Sequence, residues 1–329
     1  MWKFLVRRIL LSIVILFFVS LIAYTIIRAL PTSYVEGIAR ERASLPGGKS
    51  YTEWLDQLNK IYHLDGGVIE GFFGWFKDSL LKGEFGDSWK FNVPVIQKFK
   101  EVIWDSFFLG LIALILELVI AIPLGILAAR KQYSKTDYAV SVFALIGISL
   151  PTFFFATLLK IGFAYKLGWF EPVGKVSRYY DQLTPVGQFF DVASHFVLPV
   201  VTLTIVSLGF LMRYTRTNML EVLNSDYIRT ARAKGLSEKT VINKHAFRNT
   251  LIPIVTIVGG TLPGLFSGAM ITEQLYSIPG IGYTAYQAMI VGDIPFSMFY
   301  LVFLATLTLI GTLISDILYA VVDPRVRVN

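Results

Sequence analysis

The chain contains no cysteine among its 329 residues. Disulfide frameworks, thiol nucleophiles and zinc–thiolate centres are therefore excluded. Histidine is almost as scarce. His63, His195 and His245 fall in separate segments and none forms an HExxH pair, so no metal site is expected. No GxSxG nucleophile elbow is present either. Charge is low: 16% of residues are Asp, Glu, Lys or Arg, against about 25% in an ordinary soluble domain. What fills the chain instead is apolar. Hydrophobic residues make up 54% and aromatics 15%, with a mean hydropathy of +0.61. This balance belongs to an all-α polytopic membrane protein. The net charge of +7 does not point to nucleic acid, because the basic residues stand in short runs beside apolar segments.

Six membrane spans are expected, at 9–28, 104–129, 138–165, 196–217, 251–275 and 297–321. The first apolar run, Ile9 to Ile27, covers roughly 28 Å as a helix, which matches the hydrocarbon core. Signal peptides have shorter apolar regions of about 7–15 residues, so the run reads as a retained span. Pro123, Pro151, Pro199 and Pro263 lie inside spans. The third span is long and should tilt or kink near Pro151. Lys and Arg cluster before span one, between spans two and three, across 213–248 and after span six, whereas the loop between spans five and six has neither. The positive-inside rule then places both termini and the 213–250 loop in the cytoplasm.

The chain divides into an N-terminal segment with the first span (1–30), an extracytoplasmic loop (31–103) and a five-helix core (104–329). That loop interleaves aromatics with charge and should form short helices packed as a small cap. Within it, ASLPGGKS at 43–50 imitates a phosphate-binding loop. Such a loop needs a preceding strand and a following helix. No β-rich run precedes it, so a turn is expected.

The polar loop 218–250 needs a partner or a topological reason. It reads as two short helices. Asp226 can cap the first, and Tyr227, Ile228, Ala231 and Gly235 give one apolar-to-small face. Gly235 suits the left-handed residue that ends a helix. Ser237 can cap the second, with Glu238 in its first turn. Asp226, Tyr227, Ala231, Ala233, Lys234, Gly235 and Leu236 are the candidate docking residues. Within the spans, Glu117 is either a path-facing carboxylate or half of a structural pair. Glu273, near the outer end of span five, is a candidate gate or binding-protein contact, or a part of the loop structure, beside a re-entrant-looking segment at 276–295. Lys160 is expected to snorkel to the interface.

TARAKGL at 230–236, followed by HAFRNTLIP at 245–253, resembles the cytoplasmic loop of ABC-importer permeases, above all those of the oligopeptide/dipeptide/nickel family. LKGEFGDS at 81–88, IPLGILAA at 122–129, EQLYSIPGIG at 273–282 and YAVVDPR at 319–325 resemble further elements of that family, in order and over nearly the whole chain. Arg229 stands at the broader pattern's acidic position six residues before Gly235, which puts an acid-mediated contact in doubt. The resemblance implies a type I importer permease for short peptides in a prokaryotic cytoplasmic membrane. Its implied partners are a second related permease, two ABC ATPase subunits and an extracytoplasmic substrate-binding protein. ATP and Mg would lie on the ATPases, with no cofactor on this chain. Nickel or oligosaccharides are alternative cargoes. A stand-alone channel or secondary transporter is the reading from another class, but it leaves the helix–Gly–helix loop unexplained.

Overall fold

The computed structural model describes residues 2–29, 34–45, 49–61, 64 and 66–322. The described residues are overwhelmingly helical and contain no β-strand. Only one isolated bridge, between Asp87 and Pro94, is found among them. Helix α1 (Trp2–Ala29) begins earlier than its apolar run, because Lys3, Arg7 and Arg8 extend the same helix. Three short helices follow: α2 (Tyr34–Ala43), α3 (Tyr51–Ile61) and α4 (Val68–Phe76), the last continuing as a π-helical turn at Lys77–Leu81. Then come α5 (Val95–Arg130), α6 (Lys135–Ser149), α7 (Thr152–Leu159) with a π-helical extension to Lys166, and α8 (Pro185–Leu223). Helix α9 (Asp226–Ala233) precedes α10 (Glu238–Thr240), which runs through a π-helical stretch into α11 (Phe247–Thr261). A 3₁₀ turn, Leu262–Phe266, closes α11, and α12 (Met270–Tyr276), α13 (Ile281–Val291) and α14 (Ile294–Val322) complete the chain.

Four helices (α1, α5, α8 and α14) are each long and apolar enough to cross a membrane, and two bent pairs raise the number to as many as six. Proline decides where one of those pairs bends. Leu150 and Pro151 are both extended, as a residue before proline is driven out of the α region. Helices α6 and α7 therefore meet at 104°. By contrast α5 and α8 run unbroken through Pro123 and Pro199. Their 36 and 39 residues give rods of roughly 54 and 58 Å, well beyond the spans read from hydropathy.

Helices α5 and α8 form the central pair. A Cβ on Gly125 would lie 2.7 Å from the Met212 carbonyl oxygen, so only glycine permits this approach. Ala121, Ala144, Leu208, Leu211, Met212 and Ile254 fill the seam between α5, α6, α8 and α11. Helix α1 stands aside from that pair, packing Ala23, Tyr24 and Ile27 against Phe72 of α4 and Met298 and Val302 of α14. Helices α2 and α3 share a small core of Val35, Ala39 and Leu58.

Span five is shorter than its hydropathy indicates. The helix ends by Phe266, Gly268 takes a positive φ of 80°, and α12 starts as a separate short helix. The 276–295 segment is not an irregular re-entrant loop. Most of it is α13, whose Ile281, Ala285 and Ala288 are buried against α5 and α14. Apolar residues that pack within the protein look the same in sequence as those that face lipid.

The loop that imitates a phosphate site resolves on its far side as a helix start. The Ser50 amide donates to Glu53 Oε2 at 2.9 Å, and the Glu53 amide donates to Ser50 Oγ at 3.3 Å. This reciprocal capping box begins α3, and the Ser50 amide and hydroxyl hold the Glu53 carboxyl below the usual carboxylate range. Residues 46–48 of the imitation lie outside the described residues, as do His63 and the DPR ending at 323–325.

Candidate functional site

The polar loop folds as expected in outline and differs in detail. Ser225, not Asp226, precedes the first helical residue, and its hydroxyl turns back to the Val222 carbonyl at 2.6 Å. Asp226 is instead the acidic first-turn residue, favourable against the helix dipole. Gly235 has φ of +75° and follows Lys234 at the helix end. Its amide donates to the Arg232 carbonyl at 2.9 Å. Ser237 caps α10, accepting from the Thr240 amide at 3.4 Å, and Arg232 bridges to Glu238 at 2.8 Å.

The small-residue face is split. Ile228 and Ala231 are buried, at 0% and 6% exposure, and pack on Ala129 of α5, Met219 of α8 and Val241, Ile242 and Ala246 of the π-helical stretch. Ala231 is thus a seat within the chain rather than part of an outward surface. Tyr227, Ala233, Lys234, Gly235 and Leu236 remain exposed, Tyr227 and Leu236 at 46% and 40%. Helix α9 therefore grips the ends of α5 and α8 with one side, and with the residues that follow it leaves Tyr227, Ala233, Gly235 and Leu236 exposed, the Tyr227 hydroxyl accepting from Asn249 at 3.2 Å.

A second tie strengthens that end. Arg216 of α8 donates from Nε and Nη2 to Asp137 of α6 at 2.6 and 2.8 Å. The Tyr133 amide donates to the same carboxylate at 3.0 Å. Asp137 is buried and Arg216 half-buried. A bidentate pair in this setting is among the stronger polar contacts, and removing one partner strands the other. Asp137→Asn is expected to lower stability by about 2 kcal/mol. A double-mutant cycle with Arg216→Gln, followed by thermal unfolding of the purified protein, checks it. Strictly additive losses would show that the pair carries no coupling.

At the opposite end of α5 and α8, Glu273 is wholly enclosed. Ser106 Oγ donates to its Oε1 at 2.7 Å, the Ala269 amide to Oε1 at 2.9 Å and the Tyr283 amide to Oε2 at 2.8 Å. Ser106 in turn accepts from the Ile281 amide at 2.8 Å. The carboxylate satisfies amides at the start of α13 and binds α5, α12 and α13 into one knot. A Cβ on Gly280 would sit 2.5 Å from Ser106 Oγ and overlap the Glu273 carboxyl, which explains glycine in the SIPGIG turn. Within this chain Glu273 anchors the SIPGIG turn, at 0% exposure.

Lys160 is held by a backbone carbonyl of the segment after span five. Its ammonium donates to the Leu275 carbonyl at 2.6 Å, beside the Tyr276 ring at 5.5 Å. A free carbonyl at the end of α12 competes with water for the charge. The glycine-rich element at 81–88 is held by another buried carboxylate that sequence reading missed. Ser88 Oγ donates to Asp293, the Lys90 amide donates to it at 3.1 Å, and Asp293 also accepts the Phe296 amide at 3.1 Å. The acid after Gly292, one residue before an apolar run, was the available signal.

Glu117 lies at mid-length in α5, half-buried, without a hydrogen bond or ion pair among the described residues. Ala113 and Ala121, one turn away on either side, are buried, whereas Ile115 and Val119 on the opposite side are exposed. Glu117 therefore faces the bundle side. A groove of about 590 Å³ runs between α11 and α14, lined by Gly260, Gly264, Ser267, Thr308, Thr312 and Ser315, with Asp316 at one end. Asp316 pairs with Arg8 of α1 at 3.0 Å. Neither Glu117 nor Glu273 lines this groove.

Long apolar rods with a polar two-helix loop seated on their ends are the architecture of the transmembrane subunit of a transporter. The chain belongs to the family described as the binding-protein-dependent transport system inner membrane component, which matches residues 121–328. It is 35% identical over 328 residues to the oligopeptide transport system permease protein AppB of Bacillus subtilis, covering 99% of this chain and all of that protein. The dipeptide permease DppB of Alkalihalophilus pseudofirmus is 32% identical, and the oligopeptide permease OppB of Haemophilus influenzae 33%, each matching 99% of this chain and 100% of the relative. The fold also matches a chain of the MetNI methionine ABC transporter, solved in inward-facing conformations, with a TM-score of 0.55 and 18% identity. That match covers 69% of this chain and 97% of the other.

Proposed function

We propose that this permease is one half of the passage of an ATP-driven importer for short peptides in a prokaryotic cytoplasmic membrane. The observation that carries this reading is full-length similarity at 35% to an oligopeptide permease, together with a short helix seated on α5 and α8 whose outer face is exposed. Its partners are a second related permease, two ATPase subunits and an extracytoplasmic substrate-binding protein. ATP and Mg are held by the ATPases. The Lys and Arg distribution supports a cytoplasmic position for both termini and for α9.

In this reading α9 sits in a cleft of one ATPase. Its movement passes to α5 and α8 through Ile228 and Ala231, and to α6 through Asp137 and Arg216, because packed elements move as units. The groove between α11 and α14 supplies polar lining for the path. Glu117 is a further path-facing group. Among the described residues of the spans, Glu117 has no second carboxylate hydrogen-bonded or paired with it, as ion coupling in a stand-alone carrier would use.

Reconstitution of this chain with its four proposed partners into proteoliposomes tests the proposal. ATP-dependent accumulation of a labelled oligopeptide is expected, with loss of uptake when this chain is omitted. Accumulation without the ATPases, or of nickel or an oligosaccharide in place of peptide, would overturn it.

A further inference from the structure

The segment 167–184, which joins the π-helical end of α7 to α8, is tied across several elements. The Trp169 amide donates to the Phe163 carbonyl at 2.9 Å, and the Gly174 amide to the Tyr276 carbonyl at 2.8 Å. Lys175 Nζ donates to Asp105 Oδ1 of α5 at 2.6 Å. The Ser177 amide donates to Asp191 Oδ2 of α8 at 2.9 Å. Between the first two ties, Phe170 packs against the core that Leu109, Ala164, Phe196 and Tyr276 share. One strap therefore crosses α5, α8, α12 and the end of α7, all at the end of the rods opposite α9.

The strap differs in kind from what lies beneath it. Trp169 and Tyr179 are 63% and 66% exposed, and Lys175 keeps part of its side chain in water while Asp105 is nearly enclosed. A segment held by single polar contacts, with few buried apolar ones, belongs to the readily opened part of a structure. Gly168 and Gly174 take positive φ of 63° and 96°, so the chain turns on either side of Phe170 at positions that glycine adopts at little cost. The place where the strap lands is the Glu273 knot. Asp105 immediately precedes Ser106, and Tyr276 lies just beyond Glu273 at the end of α12.

Of these polar ties, the one to α5 is Lys175–Asp105, whereas the others hold the strap to α7, α8 and α12. Any parting of α5 from α8 and α12 at this end must therefore break that pair, and while the pair stands it opposes such a parting. A passage that admits solute at the end opposite α9 has to open there and close again. Resting on the proposed function, we propose that residues 167–182 are a latch over that end of the passage, with Lys175 and Asp105 as its releasable catch. Closed, the latch holds α5 to α12. Open, it stays attached to α8 and frees α5 to move with the rest of its rod.

The chain has no cysteine, so Asp105→Cys/Lys175→Cys carries two thiols and no others. A short bis-methanethiosulfonate bridges them in the full-length permease, reconstituted with its partners. ATP-driven peptide uptake by the bridged protein is expected to fall about tenfold or more and to return when dithiothreitol cuts the bridge. Lys175→Cys alone, treated with the same reagent, should keep its uptake. Normal uptake by protein shown by mass spectrometry to be fully bridged would overturn the latch. A second measurement needs no transport. In purified Lys175→Gln, hydrogen exchange at the Gly174 and Ser177 amides is expected to rise about tenfold, while the Ile281 amide of the knot keeps its rate. Unchanged exchange at Gly174 and Ser177 would remove Lys175 as the catch. Absence of uptake by the unaltered protein would instead count against the proposed function, and the exchange rates would still decide whether Lys175 holds the strap.

Discussion

A permease carrying Ala233→Asp and Leu236→Asp is expected to insert and fold while ATP-driven uptake falls at least tenfold. Both residues are exposed and neither belongs to the core beneath α9, so the chain itself loses little. An ATPase cleft that accepts an apolar-to-small surface must instead desolvate two carboxylates, which costs more than about 1.4 kcal/mol and hence exceeds tenfold. Ile228→Asp makes the opposite comparison. It places a charge in the core between α5 and α8 and should reduce the amount of folded protein. Gly235→Ala lies between the two. Its Cβ meets no atom of this chain, but the +75° φ strains any L side chain by about 1–2 kcal/mol. Because the chain has no cysteine, Leu236→Cys gives a single-site probe for cross-linking to the ATPase. Normal uptake by the double Asp variant, with the ATPase still co-purifying, would remove α9 as the coupling element.

The second large effect is expected at Glu273. Glu273→Ala leaves Ser106 Oγ and the Ala269 and Tyr283 amides without their acceptor in a site closed to water. Each buried donor stranded this way costs about 1–3 kcal/mol, so a loss of about 3 kcal/mol or more is expected. Glu273→Gln keeps the shape but turns one end of the group into a donor facing other donors. It should recover only part of the loss. Hydrogen exchange at the Ile281 and Tyr283 amides is expected to rise in both variants, because those amides start α13. Thermal unfolding provides the measure. A Glu273→Ala protein within about 1 kcal/mol of the original would mean that the knot contributes little.

The two predictions are linked by α5 and α8. Their lower ends hold α9 through Ala129 and Met219, and their upper regions carry Ser106 and the Thr202–Tyr276 contact at 3.0 Å. Two continuous helices thus join α9 to the Glu273 knot. Under the proposed function, a shift imposed at α9 is expected to reach α12 and α13 through them as packed units.

The amino-acid sequence by itself determined the solvent, the class of fold and the punctuation. Long apolar runs require helices in lipid, because no water satisfies a free backbone there. Gly235 and Ser237 stop and start helices through local backbone chemistry that depends on no distant residue. Short, ordered motifs such as TARAKGL and SIPGIG were enough to indicate the family. Only the tertiary structure decided which way each residue faces. Ala231 and Ala233 are both small and two positions apart, yet one is seated on α5 and α8 and the other is exposed. Glu273 and Glu117 are both carboxylates in apolar surroundings, but only Glu273 meets donors from α5, α12 and α13. Lys160 finds the Leu275 carbonyl, 115 residues away. Such partners are distant in sequence, and nothing local marks them. Burial against protein and burial in lipid also demand the same apolar side chains, so hydropathy could not separate α12 from the span before it.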